Sequence, residues 1–138
     1  MKYPLLGKWL LTGSKHSVNP NDAANYLMGI FKDKVQEHFY CLCLDTKNQI
    51  IHERTIFMGS LNASIVHLRE IFHTAIKHSA DAVIVAHNHP SGDPAPSRED
   101  VQVTERLVKA GEHIGIEVLD HIVIGDETYY SLKEKGLI

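Results

Sequence analysis

The sequence is poor in cysteine and in long apolar runs, and each shortage removes a class of answer. Of 138 residues, only Cys41 and Cys43 are cysteines. Standing at i and i+2, they share a face on any strand, and a disulfide between them would be strained. A disulfide scaffold is therefore excluded. The pair reads as small buried apolar residues, and reduced thiols suit a cytoplasmic protein. No apolar run approaches the ~18 residues that a membrane-spanning helix needs. Met1 to Leu11 holds an apolar stretch without a small-residue cleavage site, so no signal peptide is expected. No glycine-rich phosphate loop follows a strand-like run, which removes the nucleotide-binding reading. Charge of either sign is not in excess: 14 Lys and Arg against 17 Asp and Glu give a net −3. With no basic stripe, duplex DNA binding by this chain is expected to be weak.

What remains is ordinary globular composition, 43% hydrophobic and 22% charged, at a length that fits one compact domain. The whole chain, 1–138, is expected to be that domain, with 1–18 an edge segment followed by a polar loop. Asn19-Pro20 has the chemistry of a helix start, and Ala23, Ala24, Leu27, Ile30 and Phe31 recur at helical spacing, predicting a helix to about Lys34. Phe39 to Leu44 and Gln49 to Met58, joined by Asp45-Thr46-Lys47-Asn48, read as a hairpin. Gly59 to Asn62 reads as a loop. A second helix is expected from Ser64 to His78 with Ile65, Leu68, Ile71, Phe72, Ala75 and Ile76 on its apolar stripe. Ala82 to Ala86 reads as a buried central strand. A third helix follows from Arg98 to His113, then strands over Ile116 to Ile124 and Thr128 to Ser131. The alternation is imperfect and hairpins are present, which favours a mixed α/β sandwich over a doubly wound parallel sheet.

The chemistry concentrates in His87-Asn88-His89-Pro90-Ser91-Gly92-Asp93-Pro94-Ala95-Pro96-Ser97-Arg98-Glu99-Asp100. On extended backbone His87 and His89 point to the same side roughly 7 Å apart, while Asn88 faces the other way. The proline-stiffened loop then delivers Ser97 and Asp100 to the start of a helix, from which the carboxylate can reach back to the strand end. Two imidazoles and a carboxylate leave a fourth tetrahedral position open, the pattern of a catalytic zinc site. Ser97-x-x-Asp100 is equally a helix cap with an acid in the first turn, and the two roles are compatible.

His-x-His-Pro, seven residues to Ser, then x-x-Asp resembles the JAMM (MPN+) motif of zinc metalloproteases. The wider segment, together with Leu119-Asp120-His121-Ile122-Val123-Ile124-Gly125, resembles the bacterial RadC family over residues 17–138. The resemblance implies a JAMM/MPN-type α/β/α sandwich with a curved mixed sheet and three main helices. It implies zinc held by His87, His89 and Asp100, Glu37 as the general base before the first long strand, and Ser97 steadying a tetrahedral intermediate. Glu53 competes for the base, or is a solvent-facing strand residue. Asp93 reads first as a turn residue. Asp120-His121 reads as a polar strand pair near the sheet edge, or as a carboxylate–histidine pair behind the metal. The family carries a DNA-repair label tied to an N-terminal helix-hairpin-helix region, which this chain is expected to lack.

The implied activity is hydrolysis of an amide or isopeptide bond in a peptide or protein substrate. The alternative is a non-enzymatic interaction module with a structural or vestigial zinc site. A nuclease would want two metals bridged by several carboxylates, and only Asp93, Glu99 and Asp100 cluster in sequence.

Overall fold

The computed structural model describes residues 9–10, 13–14, 17–59 and 65–138. The Gly59–Asn62 loop beyond its first residue, the expected helix start at Ser64 and most of Met1 to Leu11 lie outside them. Three short strands come first: β1 (Trp9–Leu10), β2 (Gly13–Ser14) and β3 (Ser17–Val18). β1 adds to the outer edge of the main sheet, and β2 pairs with β3, so part of the expected polar loop is a small hairpin. Helix α1 (Pro20–Phe31) starts as its sequence dictates, with the Asn19 side chain accepting from the Asn21 and Asp22 N–H groups. It ends before Lys34, because Lys32, Asp33 and Lys34 are exposed and offer no apolar surface to bury.

Strands β4 (His38–Leu44) and β5 (Gln49–Met58) form the hairpin. Helix α2 (Ile65–Lys77), strand β6 (Ala82–Asn88), helix α3 (Arg98–Ile114) and strands β7 (Glu117–Ile124) and β8 (Tyr129–Ser131) complete the chain. The main sheet runs β1-β5-β4-β6-β7-β8 and is mixed: β6 and β7 are parallel, and the other pairs are antiparallel. β6 is buried along its whole length. Alternation along the strands divides the core in two. Leu42, Leu44, Ile84 and Ala86 pack under α1 with Leu27 and Phe31. Phe39, Cys41, Cys43, Val83 and Val85 pack under α2 and α3 with Ile71, Phe72 and Leu107. This is the α/β/α sandwich. Each fully buried Leu or Ile contributes about 1.5–3 kcal/mol of transfer free energy. Ile76, expected on the apolar stripe of α2, is instead 59% exposed. Among the described residues no helix is long and apolar enough to cross a membrane.

Strand β7 carries a bulge that decides where His121 points. Val83 pairs with Val118 but Ile84 pairs with Asp120, so Leu119 is the extra residue. Bulges re-aim the side chains beyond them. Strict alternation from Val118 would send His121 to the α1 side; the inserted Leu119 turns it to the α2/α3 side, opposite Val85 and next to His87.

The loop after β6 is tied to the β7–β8 turn: His89 N–H donates to Ile124 C=O at 2.8 Å, and Asp126 N–H to Gly92 C=O at 2.9 Å. Gly92 itself has φ +95°, and a Cβ on Gly125 would lie 2.3 Å from the Gly92 carbonyl oxygen. Backbone cannot yield cheaply, so Gly125→Ala is expected to cost about 1–3 kcal/mol, as overpacked sites do. Thermal unfolding checks this, with a fall in Tm of roughly 3–10 °C expected; an unchanged Tm would mean that the loop slides freely.

Candidate metal centre

The site lies where β6 runs into its proline-rich loop. His87 is the penultimate residue of β6 and His89 comes directly after the strand's end. Asp100 sits in the first turn of α3, whose N-cap is Ser97. The cap is a reciprocal box: Asp100 N–H donates to Ser97 Oγ at 3.1 Å, and Ser97 N–H donates to Asp100 Oδ2 at 2.7 Å. That box fixes the carboxylate facing the strand end.

The three side chains meet there. His87 Nε2 and His89 Nε2 are 2.9 Å apart, and Asp100 Oδ2 lies 3.4 Å from the first and 3.6 Å from the second. Tetrahedral coordination at bonds of about 2.0–2.2 Å puts neighbouring ligand atoms roughly 3.3–3.6 Å apart, so these separations bracket what one zinc ion requires. His89 Nδ1 contacts the Asp93 carbonyl oxygen at 2.9 Å, and a carbonyl only accepts. Nδ1 is therefore the protonated nitrogen, and Nε2 can act as a ligand. Burial raises the pKa of the Asp100 carboxyl, but contact with His87 and the Ser97 N–H outweigh it and hold the group well below the usual range. Two imidazole nitrogens and an ionised, buried carboxylate fit a divalent cation of the zinc type.

Glu37 completes the cluster. Its Oε1 is 3.7 Å from His89 Nε2, and the ligand atoms of Glu37, His87 and His89 lie within 4.8 Å of one another. Glu53 is elsewhere: both its carboxylate oxygens accept tyrosine hydroxyls, one from Tyr26 and the other from Tyr40 at 2.8 Å. It is half-buried and stands outside this cluster. Asp93 contributes its backbone to His89, while its side chain accepts from Ala95 N–H in the turn.

Two contributors were not legible from spacing. Asn88, turned away from the histidines as alternation requires, accepts from His38 N–H at 2.7 Å and donates to Gln36 C=O at 3.0 Å. It thus brackets Glu37 from both sides. Asn88→Ala is expected to speed amide exchange at His38 roughly tenfold, the loss of about one net hydrogen bond. Asn88→Asp, which keeps the acceptor, should exchange more slowly than the alanine variant, and equal protection in all three proteins would dismiss the clamp.

The second contributor is His121, which stands behind His87 as one reading of Asp120-His121 had it, but without the Asp120 carboxylate as its ring's partner. The two side chains part company on the strand. The Asp120 carboxylate accepts from Ser131 Oγ and the backbone N–H groups of His121 and Lys133, not from an imidazole. Burial pushes its pKa up against those hydrogen bonds. Nor is the pair at an edge, since β7 lies between β6 and β8. The His121 ring instead reaches His87 Nδ1 at 2.8 Å and Thr104 Oγ1 on its other nitrogen. Burial, then charge at His87, drives its pKa well below the usual range.

Comparison with known proteins covers the segment that carries these residues. A family model described as a RadC-like JAB domain matches residues 17–137. A UPF0758 protein of Bacillus licheniformis is 62% identical over 119 residues, covering 86% of this chain and 53% of the relative. UPF0758 proteins of Bacillus cereus and Bacillus mycoides are each 62% identical over 120 residues, covering 87% of this chain and 53% of theirs. The chain thus spans about half the length of the curated relatives it matches.

Proposed function

The chain belongs to the family of RadC-like JAB domains, and we propose that it is a zinc-dependent hydrolase acting on an amide or isopeptide bond of a peptide or protein. The observation that carries this reading is the convergence of His87 Nε2, His89 Nε2 and Asp100 Oδ2 at one point, with a further carboxylate, Glu37, at its rim. His87, His89 and Asp100 would hold the ion. Bound there, zinc supplies Lewis acidity, polarising a carbonyl and making water acidic near neutral pH.

The chain's own residues supply the rest. Glu37 is half-buried and adjoins the ligand cluster, so it takes the proton of the attacking water and returns it to the departing amine as the C–N bond breaks. Ser97 Oγ accepts the Asp100 N–H, which leaves its own O–H to donate to the developing oxyanion.

Elemental analysis of protein purified without chelator tests the reading, coupled to a panel of peptide and isopeptide substrates. About one zinc per chain and turnover that a chelator abolishes are expected. Absence of zinc uptake on titration would end the proposal; stoichiometric zinc without turnover across the panel would favour a non-enzymatic module. Duplex DNA is not the proposed partner of this chain, which carries a net charge of −3. A fluorescence anisotropy titration at ~0.15 M salt should give weak or no binding, and sub-micromolar affinity would overturn that.

A further inference from the structure

His87 has a ring nitrogen on each side, and each faces another imidazole: Nδ1 faces His121 and Nε2 faces His89. Which nitrogen carries the proton decides whether His87 can hold a cation with Nε2. The far end of a buried chain of contacts settles it.

Thr104 Oγ1 lies 2.6 Å from the Asp100 carbonyl oxygen. A carbonyl has no proton, so the hydroxyl must donate to it. With its one proton committed there, Thr104 Oγ1 can only accept from His121 Nδ1, its other partner. His121 Nδ1 therefore carries the proton. The His121 ring is fully buried, with a hydroxyl on one nitrogen and an imidazole on the other rather than a carboxylate, a setting that does not hold a charge. It therefore has one proton, so Nε2 is bare and accepts from His87 Nδ1–H at 2.8 Å. His87 Nε2 is then the nitrogen free to exchange a proton for a metal ion. Thr104 and His121 are fully buried and His87 is 1% exposed, so water is poorly placed to offer these groups alternative partners.

We infer that His121 and Thr104 are positioning residues that fix the imidazole of His87 with its proton on Nδ1 and its Nε2 facing the ligand cluster. The chain of contacts starts and ends on Asp100: its backbone carbonyl anchors Thr104, and its carboxylate faces His87 Nε2. One residue of α3 thus supplies a ligand atom and sets the tautomer of another candidate ligand. Partners behind a metal-bound histidine are commonly carboxylates or carbonyls. Here a second histidine takes that place, brought to the right face by the Leu119 bulge.

The relay rests on the proposed metal site only for its effect on affinity, so two measurements separate them. Nitrogen NMR on the metal-free and zinc-titrated protein reads the tautomers directly. A proton on Nδ1 of both His87 and His121 is expected, with a nitrogen–nitrogen coupling across the His87 Nδ1–H···Nε2 His121 hydrogen bond. A proton on His121 Nε2 would overturn the relay. Zinc competition with a chelator reads the consequence. His121→Leu should weaken zinc about 10–100-fold, the usual effect of losing such a partner. His121→Gln, which can keep an acceptor for His87 Nδ1–H, should recover most of that loss. Thr104→Ser should match the wild type, and Thr104→Val should fall between. If His121→Leu misfolds, the Gln variant and the Thr104 pair carry the affinity test, and equal zinc affinity in Thr104→Val and Thr104→Ser would count against the relay. Should the protein take up no zinc, the expected coupling would still support the relay while the hydrolase proposal fails.

Discussion

Asp100→Asn is expected to cost zinc affinity by more than ~100-fold, beyond the range seen for partners behind a ligand, while leaving the protein folded. The two consequences separate because Asp100 does two jobs with one carboxylate. As the N3 residue of the α3 capping box, Oδ2 accepts the Ser97 N–H at 2.7 Å. An asparagine carbonyl oxygen can do the same, so the cap survives in large part. As a candidate ligand, the same oxygen faces His87 and His89 Nε2 with a full negative charge in a buried setting. Asparagine has no such charge, and its neutral oxygen is a far poorer partner for a divalent cation. Asp100→Ala removes both roles and should add about 0.5–2 kcal/mol of lost capping to the loss of metal. Thermal unfolding in chelator, where metal plays no part, isolates the capping share. Zinc competition isolates the other. Unchanged zinc affinity in Asp100→Asn would remove Asp100 from the ligand set.

Much of the fold that supports this site was legible because local rules and tertiary packing agree there. Asn19-Pro20 starts α1 through the cap its residue types favour, and the apolar run Ala82 to Ala86 is central because β6 has a neighbour on each side and a helix layer on each face. The meeting of His87 and His89 stems from the two-residue period of extended backbone, and the reach of Asp100 from its place in a first helical turn. What sequence did not show was set by long-range geometry. The Leu119 bulge shifts the parity of β7 without any glycine or proline to announce it, so alternation alone misdirects His121. Asn88 could be assigned to the far face, but its hold on Gln36 and His38 depends on how the start of β4 lies against the end of β6. Glu53 reads as a solvent-facing strand residue because Tyr26, which binds it, arrives from α1 across 27 positions of sequence. In each case the missing information was which segment packs beside which, and no window of neighbouring residues contains it.

That same geometry sharpens the test of Glu37. Glu37→Gln is expected to retain zinc at wild-type stoichiometry and to hydrolyse a responsive peptide or isopeptide substrate at least ~100-fold more slowly, the lower bound of what a general base contributes. Glutamine preserves the side chain's size and its hydrogen bonding but cannot accept the proton. The competing role for Glu37 is as a fourth ligand, since its carboxylate lies within ligand distance of His87 and His89. The two roles predict different losses. A base removed leaves the ion in place and lowers kcat; a ligand removed lowers zinc affinity and activity together. Glu37 stands 3.7 Å from His89 Nε2, slightly farther than Asp100 at 3.6 Å, and Asp100 already supplies the carboxylate beside His87, so the base is the expected role. Glu53→Gln serves as the control. One tyrosine hydroxyl can still donate to the amide oxygen, while the other must turn to accept from the amide NH2, so activity should stay within a few-fold of wild type, with at most ~1–3 kcal/mol lost from stability. Full activity in Glu37→Gln together with a dead Glu53→Gln would move the base to Glu53; zinc lost from Glu37→Gln would make Glu37 a ligand.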